Sequence, residues 1–381
     1  MKNRPQPSHG SLQSRRTFVR NMTLGAALVG SGAAGALAAE LDEATKGGEK
    51  KLGLALMGLG LYARGQLGPG LRLTKLCKFA GAVTGSREKG EAWSRQYGFP
   101  SKNIWNYDQV HEMAGNPDID IVYVATPNGL HAEHVIKLAE AGKHVICEKP
   151  MANTVAECDA MMAACAKANV KLSIGYRLHF DPHHIEMDRL ARERDFGQLT
   201  KLSGEHSWTF MVHAWRIEKK LSGGGPLMDV GIYPIQAACR AALAQPIAVT
   251  ARELPKQRPE FFREVEETIE WEMEFPDGVT CSASSSYNRN NNFFRAEGAK
   301  GWIELAPAYA YSGLNVTTSR GHLDIPSVPQ QTLQMDDFAS CVLTGRETPV
   351  PGSMGRDHMA IIEAIYRSAA EGGKRTLVAR A

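Results

Sequence analysis

From Lys51 onward the chain alternates short apolar runs with longer stretches in which apolar residues recur every three or four positions. The runs "LGLALMG", "FAGAVTG", "IDIVYVATP", "HVICEK" and "KLSIGY" are continuous rather than alternating, the pattern of strands buried on both faces. Between them, residues 88–97, 132–141 and 154–168 carry helical spacing. This β-α-β alternation predicts a parallel sheet flanked by helices. After Gly197 the period changes. Ile269, Trp271, Met273 and Phe275 alternate with Glu270, Glu272 and Glu274, and an Asp277-Gly278 turn leads to a returning strand. "FFRAEGAKGWIEL" reads as another hairpin, and residues 357–371 as an amphipathic helix packing back on the fold. The second half is therefore expected to be a mainly antiparallel sheet covering one edge of the first.

Composition changes this picture only at the N-terminus. A chain of 381 residues exceeds one typical domain, and 43% hydrophobic with 22% charged residues is ordinary for a globular protein. The net charge of +3 comes from Lys2, Arg4, Arg15, Arg16 and Arg20, since no acid precedes Glu40. Without residues 1–38, 39 basic side chains face 41 acidic ones, a net of −2, and no basic surface remains to displace the counterions of a nucleic acid. "SRRTFVR" precedes a mildly apolar, Gly/Ala-rich run that ends in Ala36-Leu37-Ala38. The run is too short and mild for a membrane span. Residues 1–38 read as a twin-arginine signal peptide, whose export machinery carries folded proteins into the bacterial periplasm. Residues 39–50 read as a flexible arm. The seven cysteines are odd in number, widely spaced and without a C-x-x-C pair. They argue against a disulfide framework or a zinc site and suit folding in a reducing cytoplasm before export.

Candidate chemistry begins at the first turn, "GLGLYA", where Gly58, Leu59, Gly60, Tyr62 and Ala63 follow the first strand. Glycines permit a tight turn and close approach to a pyrophosphate, and the small third position lets helix and strand pack. The helix N-terminus that follows offers free N–H groups to the phosphates. The first half, residues 51–175, is thus expected to be an α/β Rossmann dinucleotide-binding domain, and residues 176–381 an α+β substrate domain with a large, mainly antiparallel open sheet; its role in oligomerisation rests on the resemblance below. The second strand ends "VTGSREK", with Thr84, Gly85, Ser86, Arg87 and Lys89 but no carboxylate at its tip. Hydroxyls and cations there suit a ribose 2′-phosphate, so NADP is expected rather than NAD. Lys149 follows another strand and precedes Pro150, at the carboxyl edge where ligands of such sheets sit. By itself it reads first as a solvated strand-end lysine.

The segments "AGKHVICEKPMA", "TPNGLHAEH", "GYRLHFDP" and "GGGPLMDVGIY", with the glycine turn, closely resemble the glucose–fructose oxidoreductases. That family, with its aldose–aldose oxidoreductase branch, belongs to a superfamily of sugar and inositol dehydrogenases, and the likeness runs from Leu52 to the C-terminus. The resemblance implies that Tyr233 is the acid–base residue, with Lys149, Asp229 and His179 catalytic beside it. It also implies that Thr126, Pro127, Asn128, His131, Glu148, Lys149, Arg177, Trp215 and Arg216 contact the cofactor. Read without it, Asp229 is a helix N-cap, Tyr233 a packed interdomain aromatic, and Trp215 and Arg216 parts of a surface loop. His179, His183 and His184 are not expected to bind metal, because Pro182 breaks their helical spacing.

The export signal bears on mechanism. The periplasm has no NADP pool, so an exported enzyme must keep its cofactor and recycle it. The expectation is a ping-pong enzyme with tightly bound, non-dissociating NADP. It would oxidise an aldose at C1 to an aldonolactone and reduce a second sugar, ketose or aldose, to an alditol. The resemblance further implies a homodimer or homotetramer. Two alternatives stand beside this: an exported NAD-dependent glycosidase of the same superfamily, and a non-catalytic sugar-binding protein that kept the fold.

Overall fold

A computed structural model describes residues 51–380; the signal peptide and arm expected over residues 1–50 lie outside them. The apolar runs form β1 (Leu52–Met57), β2 (Cys77–Val83), β3 (Ile104–Trp105), β4 (Ile121–Val124), β5 (His144–Cys147) and β6 (Leu172–Ile174). They pair in parallel in the order β3-β2-β1-β4-β5-β6. All four residues of β4 are buried, which is why these strands read as unbroken apolar runs. The order reverses between β1 and β4, and that switch point opens a crevice at the carboxyl ends of the strands.

Three helices cover this sheet: α1 (Arg87–Tyr97), α2 (His131–Glu140) and α3 (Val155–Lys167). The Ser86 hydroxyl accepts from Lys89 N at 3.2 Å and starts α1. Thr154 and Glu157 form a capping box at the start of α3. These three helical expectations hold to within a residue at each end.

The second sheet has nine strands: β7 (Leu199–Ser207), β8 (Ala248–Glu253), β9 (Thr268–Glu274), β10 (Thr280–Ser286), β11 (Asn291–Gly298), β12 (Gly301–Leu305), β13 (Val316–Thr318), β14 (Gly321–Leu323) and β15 (Thr376–Leu377). Its order is β14-β13-β12-β11-β7-β10-β9-β8-β15, and only the β7–β10 pair is parallel. Along β9, Ile269, Trp271 and Met273 are buried while Glu272 faces water, as the alternation predicts. Helices α4 (Pro182–Glu193) and α5 (Ile232–Ala242) belong to this half, and α5 packs on β7.

Two features were not visible in the pattern. Pro182 does not break a helix; it occupies the first turn of α4, where its missing N–H costs nothing. Helix α6 (Gln330–Thr344) escapes periodicity because its buried side is largely polar, carrying Gln330, Gln334, Asp336 and Asp337. Asp336 accepts from the backbone N–H groups of Lys75 and Leu76, 2.9–3.0 Å away, and so ties α6 to the start of β2. Helix α7 (Gly352–Ala370) lies against both α3 and β8, joining the two sheets.

Candidate active site

The first turn adopts the geometry its glycines allow. Gly58 has φ of +93°, and Arg64 N donates to Gly60 O at 3.0 Å, so the helix begins at Gly60. The N–H groups of Leu61, Tyr62 and Ala63 have no carbonyl within that helix to bond and face the carboxyl edge of β1. Ala63 is buried against the sheet, while Gly60 is exposed. A Cβ on Gly60 would meet nothing within 4 Å, which leaves the turn open above it. This open turn, with a helix N-terminus behind it, fits the pyrophosphate of a dinucleotide. At the end of β2, Thr84 Oγ1 accepts from Ser86 N at 3.3 Å, and no carboxylate stands between Thr84 and Arg87. The Arg87 guanidinium is occupied by Glu91, Ile104 O and Ser101 O at 3.1–3.2 Å.

A cavity of about 500 Å³ opens at the same edge, between the two sheets. Its lining includes Tyr62, Thr126, Glu148, Lys149, Asp229 and Tyr233. Asp229 sits in a π-helical turn, Leu227–Gly231, that runs directly into α5, so Asp229 and Tyr233 project from one side of the helix. The preceding glycines make room for what caps that turn. Glu266 accepts from Gly225 N at 2.9 Å and Leu227 N at 3.1 Å, and a Cβ on Gly225 would lie 2.2 Å from Glu266 O. Asp229 is therefore not the N-cap; no side chain caps α5.

Asp229 instead holds the cations of the site. Lys149 Nζ donates to Asp229 O at 2.7 Å and stands 4.0 Å from Oδ1. Arg216 Nε donates to Oδ2 at 3.1 Å, and Tyr287 donates to the same oxygen at 3.0 Å. Burial alone would raise the Asp229 carboxyl; the charges of Arg216 and Lys149 and the donor bonds of Tyr287 and Arg216 hold it below the ordinary range. Glu148 goes the other way: burial pushes it up, against the pull of Lys149 and a 2.6 Å bond from the Tyr123 hydroxyl.

Tyr233 is 8% exposed and lies between two cations. Lys149 Nζ is 4.8 Å from its ring centroid and Arg177 Cζ is 5.2 Å, with Arg177 Nη2 3.4 Å from the hydroxyl. Arg177 also donates to Ala310 O at 3.1 Å, Tyr309 O at 2.6 Å and Gln330 Oε1, and its guanidinium lies over Tyr311. It is a contact of Tyr233 and a clamp on segment 309–311.

The other expected contacts divide. His131 spans Thr126 O and Pro150 O at 2.9–3.0 Å, and Asn128 donates to Ser222 O at 2.9 Å; both line the cavity and tie its loops together. Pro127 caps the turn Asn128–Leu130. Trp215 stacks on Arg216 at 4.5 Å. His179 lies apart from these. It stands outside the cavity lining, its ring 6.1 Å from Tyr176 in a pocket shared with His358. The 3₁₀ turn Arg177–Phe180 rotates each residue about 120°, so with Arg177 facing the cavity His179 is carried away from it. His183 and His184 open α4 and bond separately, to Asp181 at 2.9 Å and Ala308 O at 2.8 Å.

The second sheet supplies residues that no motif marked. His206, on β7, packs edge-on 5.1 Å from the Tyr233 ring, and Trp208, Tyr309 and Tyr311 complete the wall. Burial, with Lys149 next, pushes the His206 imidazole down to about 3, so it is neutral in any working range.

Comparison with known proteins agrees with this architecture. Residues 52–176 match the model for an oxidoreductase family with an NAD-binding Rossmann fold, and residues 184–304 match the GFO/IDH/MocA C-terminal domain. The aldose-aldose oxidoreductase of Caulobacter crescentus, solved with glycerol, is 41% identical, with a TM-score of 0.84 over 86% of this chain and 100% of that one. A D-xylose 1-dehydrogenase [NADP(+)] from Haloarcula marismortui is 27% identical over 82% of this chain and 90% of its own length. A 3-ketoreductase from Actinomadura kijaniata, solved with NADP and TDP-benzene, shares the fold at 19% identity and a TM-score of 0.75, over 84% of this chain and 98% of that one. With both of its halves matched in sequence and in structure, the chain belongs to the GFO/IDH/MocA oxidoreductase family.

Proposed function

We propose that this sugar oxidoreductase oxidises an aldose at C1 to an aldonolactone and then reduces a second sugar, a ketose or an open-chain aldose, at the same site. In this reading NADP stays bound through both halves, the kinetics are ping-pong, and the protein works in the periplasm. The observation that carries the chemistry is one phenol, Tyr233, set between Lys149 and Arg177 at the carboxyl edge of the first sheet.

Bound nicotinamide supplies the acceptor, and afterwards the donor, of a hydride at the sugar carbon. Tyr233 Oη takes the proton of the C1 hydroxyl in the first half and returns a proton to the carbonyl oxygen in the second. Lys149 and Arg177 stabilise the negative charge that the phenol oxygen carries between these events. Asp229 keeps Lys149 on the Tyr233 ring through its backbone carbonyl and its carboxylate.

The likeness to an aldose-aldose oxidoreductase supports an aldose as donor. The carboxylate-free end of β2 and a relative named for NADP(+) support NADP. Arg15 and Arg16 ahead of an apolar run support export, and export in turn supports a retained cofactor. The test is purification from the periplasmic fraction with no nucleotide added. One NADP per chain is expected on denaturation. D-glucose alone should give a single equivalent of absorbance at ~340 nm, bleached by a second sugar. NAD in the released fraction would favour the glycosidase, and an empty, inert protein the binding-protein reading.

A further inference from the structure

We propose that Tyr287 is a positioning residue for catalysis: its hydroxyl fixes the Asp229 carboxylate, and through it Lys149 and Arg216, from the second sheet. The inference rests on the functional reading above, in which Lys149 and Tyr233 act on the sugar.

Tyr287 directly follows β10 and is fully buried. Its hydroxyl lies 3.0 Å from Asp229 Oδ2, the oxygen that also accepts from Arg216 Nε at 3.1 Å. Two donors on one oxygen leave Oδ1 turned toward Lys149 Nζ, 4.0 Å away. Which oxygen faces the lysine is therefore set by Tyr287 and Arg216 together.

The ring cannot swing out of this arrangement. It is the centre of an apolar cluster with Phe210, Ile217, Phe262 and Val265, separate from the site. Its centroid is 5.0 Å from Phe210, 5.9 Å from Phe262 and 5.8 Å from Trp208. The backbone is pinned as well: Tyr287 N donates to Glu267 O at 2.9 Å, and Tyr287 O accepts from Arg258 Nη2 at 2.7 Å and Phe210 N at 2.9 Å. Arg258 is itself paired with buried Glu267 at 2.8 Å.

Phenylalanine would satisfy the apolar cluster equally well, so packing does not account for the hydroxyl. The hydroxyl donates instead to the carboxylate that organises the catalytic lysine. Phe210 and Ile217 of the same cluster bracket Trp215 and Arg216, so one rigid body carries both donors to Asp229. The charged and titratable groups facing that carboxylate are Arg216, Lys149 and Tyr287, with His206 and Tyr311 nearby. Removing the hydroxyl takes away one group that favours the ionised form, so Asp229 takes up its proton at a higher pH.

The test uses the full chain with Tyr287→Phe, and Phe262→Leu as a packing control. Aldose oxidation is followed as a function of pH, and tryptophan fluorescence is titrated with acid, Trp208 and Trp215 flanking the contact. Tyr287→Phe is expected to lower kcat by roughly 10-fold, as loss of one hydrogen bond to a charged group implies, with KM little changed. The acid limb of the rate and the fluorescence midpoint should both move to higher pH. Phe262→Leu should lower the melting temperature and leave both midpoints in place. In an Asp229→Asn background, Tyr287→Phe should add no further loss. Unchanged kcat and midpoints in Tyr287→Phe, or equal shifts in both variants, overturn the proposal. A wild type that oxidises no aldose overturns the functional reading instead, and the fluorescence titration then still decides whether Tyr287 sets Asp229.

Discussion

Alanine at Gly58 and alanine at Gly60, two residues apart in the first turn, should fail in different ways. Gly58→Ala places a methyl group 2.7 Å from Ala125 O and 2.9 Å from its carbonyl carbon, at a φ of +93°. Ala125 follows β4, which pairs with β1 at the centre of the first sheet, so relief would require central strands to part. Left-handed strain of about 1–2 kcal/mol and overpacking of about 1–3 kcal/mol give roughly 2–5 kcal/mol lost. With an unfolding entropy of about 2.1 cal/mol/K per residue over about 330 residues, the melting temperature should fall by roughly 3–7 °C. Gly60→Ala meets nothing within 4 Å, so the nucleotide-free protein should melt as the wild type does, or slightly higher. The same methyl fills the space over which a pyrophosphate must pass. An overpacking cost of about 1–3 kcal/mol there weakens binding roughly 5- to 150-fold. Scanning fluorimetry of stripped protein and nucleotide titration read the two effects separately. A Gly60→Ala protein with wild-type affinity, or a Gly58→Ala protein with wild-type melting, would refute the reasoning.

Tyr233→Phe keeps the ring packed against Lys149, Arg177 and His206 but removes the proton carrier. Both half-reactions should slow by about 10²- to 10⁴-fold with bound nucleotide unchanged, measured by stopped-flow absorbance; a near-normal rate in either half excludes the role. Burial pushes His134 down to about 4, whereas an unfolded histidine titrates near ~6.5. Between these values the unfolded state binds the extra proton, so this group's contribution is whole above ~6.5 and is lost as pH falls toward 4. At pH ~5 the loss is about 2 kcal/mol, and His134→Gln should flatten the fall in melting temperature between pH ~7 and ~5; an unaltered slope would count against it.

What the sequence discloses depends on how local the determinant is. Buried parallel strands are apolar throughout, so β1, β2, β4, β5 and β6 stand out one by one, whereas β3 has only two residues and α6 buries glutamines and aspartates. Lys149, Asp229 and Tyr233 are legible because each sits in a dense motif beside a glycine turn or a strand end. The far wall is not. His206 on β7 and Tyr309 and Tyr311 in the loop after β12 come together only through the pairing of the second sheet, and Tyr287 reaches Asp229 from behind that wall. A motif gives neighbours in sequence but not the rotation of a 3₁₀ turn, which here sets His179 beside Tyr176, apart from Arg177 and the cavity.

Helices α6 and α7 have a consequence for biosynthesis. Asp336 closes on the backbone at Lys75 and Leu76, and Ile174 N donates to Val350 O at 2.9 Å beside the last strand of the first sheet. The nucleotide-binding half is therefore finished by residues made after eight of the nine strands of the second sheet. A chain still on the ribosome holds that half without these closing contacts, so the first sheet reaches its full packing only once residues 336 and 350 have emerged.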